Sequence, residues 1–201
     1  MNQKLIIIGA GGHGRVAADI ARLRGYEEIA FLDDQKVENV NQIGCVADFK
    51  KHIGKADFFV GIGSNNPRRA VFEKLEKGGA KIINLIHPAA VVAADVVFGK
   101  GIAVMAGAVI NTGSRIENGA IINTCASVDH DCAVGAFSHV SVGSHLAGTV
   151  AVGENTFIGA GATVINNVAI CDSCVIGAGA VVIRNVDTLG TYIGCPAQKI
   201  R

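Results

Sequence analysis

Residues 96–131 read VVFGKG-IAVMAG-AVINTG-SRIENG-AIINTC-ASVDHD, six hexads laid end to end. The third residue of each is large and apolar: Phe98, Val104, Ile110, Ile116, Ile122 and Val128. The same step runs back to Val92 and on through Val134, Val140, Leu146, Val152, Ile158, Val164, Ile170, Ile176 and Val182, sixteen positions without a slip. With 50% of the residues hydrophobic, chance would give such a run on the order of once in 65,000 trials per register. Two residues before each apolar position the side chain is mostly small, as at Ala108, Ser114, Ala126, Cys132, Ser138 and Cys174. Just after it, Gly, Asn, Asp or Glu is frequent, as at Gly99, Asn111, Asp129, Gly135 and Gly153. A period of six fits neither a 3.6-residue helix nor a long two-residue alternation. It fits a short strand and a turn, repeated, with one aliphatic side chain per repeat aimed at a shared core. The small residue should fit near the bend, and the Gly, Asn or Asp should tolerate the turn's backbone. No unit this short buries its own face, so the units must stack.

Composition narrows the function classes. The chain has 201 residues, a net charge of +1 and only 17% charged residues, so nothing predicts a nucleic-acid surface. Leu5–Ile8 is too short for a signal-peptide core, and Asp95 and Lys100 interrupt the apolar stretch 89–110. The expectation is a cytoplasmic protein with no membrane insertion. Of the six cysteines, Cys171 and Cys174 form a lone C-x-x-C without a second ligand pair. No metal site is expected, because Cys132 and Cys174 both fall in the repeat's small-residue slot.

Residues 1–87 follow another pattern. Leu5–Ile8 reads as a buried strand, Gly9-Ala10-Gly11-Gly12-His13-Gly14 as a turn, and Arg15 to Arg24 as a helix. Ile29–Leu32 and Asp57–Ile62 read as strands, Pro67 as the opening of a helix closed by Gly78-Gly79, and Lys81–Ile86 as a last strand. His87-Pro88 then marks a boundary. Gly9, Gly11 and Gly14 make a G-x-G-x-x-G turn, whose backbone N–H groups could approach a phosphate at a helix N-terminus. Asp34 lies twenty residues beyond Gly14, where an acid binds a ribose hydroxyl in dinucleotide folds. The domain is about half a dinucleotide fold, so one mononucleotide is the more natural ligand. A tight strand-to-helix turn with no ligand is the alternative. Asp33-Asp34 and Gly63-Ser64-Asn65-Asn66 should converge with the glycine loop at the carboxyl edge of the sheet.

The repeat resembles that of the hexapeptide-repeat acyltransferases, which implies a left-handed parallel β-helix with three hexads to the coil and a little over five coils. Gly11-Gly12-His13-Gly14, Phe31-Leu32-Asp33-Asp34, Asn84-Leu85-Ile86-His87, Asn123-Thr124, His130-Asp131-Cys132, the run Phe137 to Gly143 and the tail Ile193-Gly194-Cys195-Pro196-Ala197 sharpen the likeness. With them, the whole chain resembles the nucleotide-sugar acetyltransferases that acetylate a 4-amino sugar, nearest to the UDP-N-acetylbacillosamine N-acetyltransferases. Perosamine N-acetyltransferases and sialic acid O-acetyltransferases are relatives. The expected layout is a small Rossmann-like α/β nucleotide-sugar-binding domain over 1–87, a β-helix acetyltransferase domain over 88–187, and a tail over 188–201 near the coenzyme A site. The resemblance implies a homotrimer with its active sites between neighbouring prisms. It also implies acetyl-CoA as donor, a nucleotide sugar as acceptor, and a place in bacterial glycan or glycoprotein synthesis.

The chemistry read from the residues agrees. N-acetylation needs a base to take the amine's proton, and His suits that at neutral pH. The β-helix holds His130, His139 and His145, none in an inward aliphatic position. His130 sits near a turn between Asp129 and Asp131, and a carboxylate beside imidazole raises its basicity. His145 reads as an exposed turn residue. By resemblance, His130 is the general base, Asp131 raises its basicity and Asn123 is an active-site Asn. The bacillosamine enzymes carry Glu where Asp131 stands, and Asp129 is the alternative partner. His139, Gly148, Ala160 and Ala178 match positions that meet acetyl-CoA. Gly11, Gly12, His13, Asp33, Asp34 and Gly63 match nucleotide-sugar contacts. The acceptor sugar, and N- against O-acetylation, stay open, with sialic acid O-acetylation and GDP-perosamine N-acetylation as alternatives. Two readings from other classes are a nucleotide-binding regulatory module on a structural β-helix, and a domain of a longer bifunctional protein.

Overall fold

A computed structural model of the chain describes residues 4–200. The chain divides into two compact units, with the boundary between Pro88 and Ala89.

The first unit is a parallel sheet with helices. Lys4–Ile8 (β1) is followed by a helix over Gly12–Leu23 (α1), then Glu28–Leu32 (β2) and Gln42–Gly44 (β3). A 3₁₀ segment spans Val46–His52, and Asp57–Val60 (β4), a helix over Asn65–Lys77 (α2) and Leu85–Ile86 (β5) complete the unit. The sheet order is β3-β2-β1-β4, all parallel. Leu5, Ile6, Ile7 and Ile8 are wholly buried, as a central parallel strand covered on both faces requires. β1 lies between β2 and β4, so the loops after β1 and β4 leave the same sheet edge side by side. That is the topological switch point where open α/β sheets take ligands.

Three local expectations shift. α1 begins at Gly12 rather than Arg15, because the glycine loop itself forms the first turn. α2 begins at Asn65, which places Pro67 in a first turn where a missing N–H costs nothing. Lys81–Ile86 meets β4 through the Phe58–Ile82 bridge and the Lys81–Asp57 ion pair rather than as a continuous strand, and within it Leu85–Ile86 is the strand. β3 carried no hydrophobic signal. Its Gln42 side chain holds it, accepting from Val37 N and donating to the carbonyls of Asp33 and Gln35.

The second unit is a left-handed parallel β-helix. Two-residue strands recur every six residues and fall on three faces. The first face runs from Val91–Val92 to Val181–Val182, the second from Val97–Phe98 to Ala169–Ile170, and the third from Ala103–Val104 to Val175–Ile176. Successive strands of a face are eighteen residues apart, as in Ile121–Ile122 against His139–Val140. Every apolar hexad residue from Val104 to Val182 is buried, so the period-six register is the core. The coil outlasts the hexads. Val186 bridges to Ile170, and Thr191–Ile193 pairs parallel with Val175–Ile176, giving about six turns.

The turn chemistry lies two positions from where the sequence pattern placed it. Every sixth residue from Gly101 to Gly179 has positive φ, three places after the apolar position, whether it is Gly, Cys125, Asp131, Phe137, Thr149, Asn155, Asn167 or Ser173. Glycines directly after the apolar residue serve stacking instead. A Cβ on Gly135 or Gly159 would meet backbone atoms of the next coil at 2.6 and 2.5 Å.

The small-residue slot has a chemical role as well. Ser138 Oγ donates to Gly153 O and accepts from Thr156 N, and Thr156 Oγ1 donates to Cys171 O and accepts from Cys174 N. Ser114 and Cys132 do the same at another corner. Each hydroxyl or thiol satisfies one carbonyl and one amide at a bend where the ladder cannot.

Candidate functional site

The corner between the first and second faces carries His130. Three backbone bonds fix its turn: Asp129 N to Leu146 O, Asp131 N to Thr112 O, and Thr149 N to His130 O. Ser114 Oγ adds a bond to Asp129 O. Asp131 adopts φ 56°, a left-handed conformation that Asp tolerates better than most residues. This curls its carboxylate back, and Asp131 Oδ2 lies 2.9 Å from His130 Nδ1. Asp129 does not reach the ring. Its Oδ1 accepts from His130 N and from Asn111 Nδ2. With Nδ1–H donated to Asp131, the lone pair of His130 sits on Nε2, on a ring about half exposed. The imidazole pKa is raised, first by the hydrogen bond to Asp131 and then by the charges of Asp129 and Asp131.

His139 is built differently. It lies on the third face, pointing out from the prism, yet is buried, with its ring edge-on to Phe157 at 5.2 Å. Asn123 Oδ1 accepts from Thr124 N, which fixes the amide, so Asn123 Nδ2 donates to His139 Nε2 at 2.9 Å. That bond occupies the Nε2 lone pair. His139 is therefore a neutral Nδ1–H imidazole with no base to offer through Nε2. His145 is exposed, and its Nδ1 pairs with Ser127 Oγ.

The β-helix residues singled out in the sequence fall on two edges. His130, Asp131 and Gly148 share the corner after the first face. Asn123, Ala160 and Ala178 share the corner after the third, with His139 on the strand beside them. Ala160 and Ala178 are exposed and stacked, with Gly179 N donating to Ala160 O. Within one chain, His130 and Asn123 do not meet at one corner.

In the first unit the glycines divide by role. A Cβ on Gly14 would lie 1.9 Å from Gly9 O, and one on Gly61 would lie 2.7 Å from Gly14 Cα, so these three let the loops after β1 and β4 touch. Gly11 and Gly12 are exposed, and a Cβ on either meets nothing within 4 Å. They open α1, whose first turn has no acid and no side-chain cap, leaving helix N–H groups able to take an anion. Gly63 faces His13, with 3.8 Å between Cβ positions. Burial, and then the charge of Arg68, lower the His13 pKa to about 4, so the ring is neutral. Its buried Nε2 has no hydrogen-bond partner among the described residues.

Both acids do structural work. Asp33 Oδ2 accepts from Ala10 N, tying β2 to the glycine loop, and Oδ1 accepts from Gln35 N. Asp34 Oδ1 accepts from Val46 N at the start of the 3₁₀ segment. Sequence reasoning missed Arg68 as a site-shaping residue. It is buried and donates to Ile62 O, Gly63 O and Asn65 Oδ1, holding the loop after β4. Burial lowers its pKa to about 10. An Arg in an exposed-looking helix start gave no signal of this.

A coil of hexapeptide repeats with a paired histidine at one corner, preceded by a glycine-loop α/β unit, defines a class of acyltransferase. Residues 4–75 match the PglD N-terminal domain family, and 149–184 match the bacterial transferase hexapeptide (six repeats) family. The acetyltransferase domain of PglB from Neisseria gonorrhoeae FA1090, solved with acetyl coenzyme A, is 39% identical over 100% of both chains, with a TM-score of 0.95. PerB from Caulobacter crescentus, solved with CoA and GDP-perosamine, is 41% identical over 98% of this chain and 97% of that one, with a TM-score of 0.94. UDP-N-acetylbacillosamine N-acetyltransferase of Bacillus subtilis (strain 168) is 33% identical over 112 residues, 52% of each protein, so that match spans about half the curated relative's length. The chain belongs to the family of hexapeptide-repeat acetyltransferases with a PglD-type N-terminal domain.

Proposed function

We propose that this chain is an acetyl-CoA-dependent N-acetyltransferase acting on the 4-amino group of a UDP-linked amino sugar, in the cytoplasm. The observation that carries this is the His130–Asp131 pair, with Nε2 left open, in a chain that matches acetyltransferases over its full length. His130 Nε2 takes the proton as the amine nitrogen bonds to the thioester carbonyl carbon. The C–S bond then breaks and the coenzyme A thiolate leaves. Asp131 stabilises the imidazolium. No covalent enzyme intermediate is needed.

Gly11, Gly12, His13, Asp33, Asp34 and Gly63 hold the nucleotide sugar in this reading. The open amides of α1 face its phosphates, and the unpartnered Nε2 of neutral His13 supplies an acceptor or donor. Asn123 serves as an active-site residue together with His130 and Asp131, and His139, Gly148, Ala160 and Ala178 meet the donor. These β-helix positions lie on two edges of one prism, which supports a homotrimer in which the edges of neighbouring chains complete each site. Light scattering should give about three times the 20.7 kDa chain mass. A stable, fully active monomer would overturn this arrangement.

The deciding experiment is mass spectrometry of acetyl transfer across UDP-, GDP- and dTDP-linked amino sugars and free sialic acid. N-acetylation of a UDP-4-amino sugar, with the highest kcat/KM of the panel, is the expected result. Transfer only to GDP-perosamine, or only to a sialic acid hydroxyl, replaces the acceptor. Stabilisation by nucleotide with no transfer to any acceptor would establish a binding module instead.

A further inference from the structure

We propose that Gly148 is a positioning residue for the catalytic histidine: it is glycine so that the His130 ring can lie against the next coil while Nδ1 holds Asp131. This rests on the catalytic reading of His130 given above. A Cβ built on Gly148 would lie 2.4 Å from His130 Nε2 and 2.6 Å from Cε1, and its three nearest atoms all belong to that ring. Gly148 is buried and lies outside the left-handed region, so its backbone makes no demand for glycine. What the position excludes is a side chain, and what the side chain would strike is the imidazole.

The same device recurs on the other side of the pair. Gly113 lies one coil below Asp131, and a Cβ there would lie 2.4 Å from Asp131 Oδ1. The two glycines bracket the pair along the stacking direction, one against the ring and one against the carboxylate. Gly113 also has φ +72°, so replacing it strains the backbone, whereas Gly148 tests the slot alone. Among the described residues the ring's hydrogen bond is the one from Nδ1 to Asp131, and the ring is half exposed, so a methyl at position 148 can push it toward solvent without opening the core. The cost then falls on the alignment with Asp131. The charged groups facing the ring are Asp129 and Asp131. Asn111, Thr112 and Gly113 below, and Ala147, Gly148 and Thr149 above, carry no charge.

The test is Gly148→Ala in the full chain, read in two independent ways. The first is the titration of the His130 ring proton by NMR, assigned by its loss in His130→Ala. The midpoint should move down, because the bond to Asp131 is the main cause of its elevation. The second is kinetics. kcat should fall about tenfold or more, and by a larger factor than KM for acetyl-CoA rises, since Gly148 also meets the donor in the reading above. The double variant Gly148→Ala/His130→Ala should be no slower than His130→Ala alone, because a residue acting through the ring has nothing left to act on. An unchanged titration overturns the proposal. So does a raised KM for acetyl-CoA with unchanged kcat, which would make position 148 a donor contact only. Should Gly148→Ala fail to fold, the double variant must fold, and if it does not, the glycine belongs to core packing and the proposal is wrong. A wild type that transfers no acetyl group refutes the catalytic reading, while the titration still decides the geometry.

Discussion

The two units spend their glycines and acids in opposite ways. In the α/β unit, the motif residues that look functional are largely consumed by the fold. Gly9 and Gly14 close a backbone contact with Gly61, Asp33 ties down the loop they form, and Asp34 binds the start of a 3₁₀ segment. In the β-helix, the repeat declares what the fold needs at each of its six positions, and whatever departs from it stands out. A histidine beside a left-handed aspartate fills no repeat requirement. A motif in an irregular unit mixes structural and chemical demands, whereas a repeat separates them.

The largest expected effect is at His130. His130→Ala should lower kcat by about 10²–10⁴ with the fold intact, because the ring lies outside the core register. His139→Ala should act mainly on KM for acetyl-CoA, because its Nε2 lone pair is already taken by Asn123. Near-normal kcat in a folded His130→Ala variant would reverse the roles of the two edges.

The pH profile sharpens the distinction between the flanking acids. Only neutral imidazole accepts a proton, so kcat/KM should rise with pH through the His130 pKa, which Asp131 holds above its ordinary value. Asp131→Asn keeps a side chain that tolerates positive φ, and should move that inflection down and slow the reaction. Asp129→Asn should move it down less, because that carboxylate bonds the backbone and Asn111 rather than the ring. Equal shifts in the two variants would show that net charge, not the hydrogen bond, sets the basicity.

The acids of the α/β unit should behave as mixed residues. Asp34→Ala should weaken nucleotide-sugar binding about tenfold or more, by loss of a charged hydrogen bond, while acetyl-CoA affinity stays nearly unchanged by calorimetry. It should also cost about 1 kcal/mol of stability through the lost bond to Val46 N. Equal weakening of both ligands would show that the nucleotide site is misplaced.

Corner hydroxyls give the smallest effects. Ser138→Ala removes the hydroxyl's bonds to Gly153 O and Thr156 N, and Ser114→Ala those to Asp129 O and Cys132 N, each costing about 1–3 kcal/mol in denaturant unfolding. Only Ser114→Ala should also lower kcat, since Asp129 O starts the turn that carries His130. A matching kcat loss in Ser138→Ala would mean that the defect is global.

The stacked repeat, its inward register and the position of His130 outside it were legible in the sequence, because sixteen hexads report one register independently, while the three-hexad left-handed coil followed from the family resemblance. β3 was not legible, because Gln42 holds it through side-chain bonds to loop backbone that no periodicity encodes. The Gly, Asn and Asp pattern points to a turn residue just after the apolar position, and the left-handed residue lies two places further on. Side-chain identity blurs there, since Phe137 and Thr149 occupy it as well as glycine. Sequence alone determined which residues repeat and which do not. Tertiary structure alone decided that Asp131 rather than Asp129 reaches the imidazole, and that Asn123 occupies the lone pair of His139. It also decided that Gly148 lies over a ring eighteen residues earlier. Each of these depends on which atoms the coil stacks one turn apart, a relation set by the closing of the helix rather than by any neighbour along the chain.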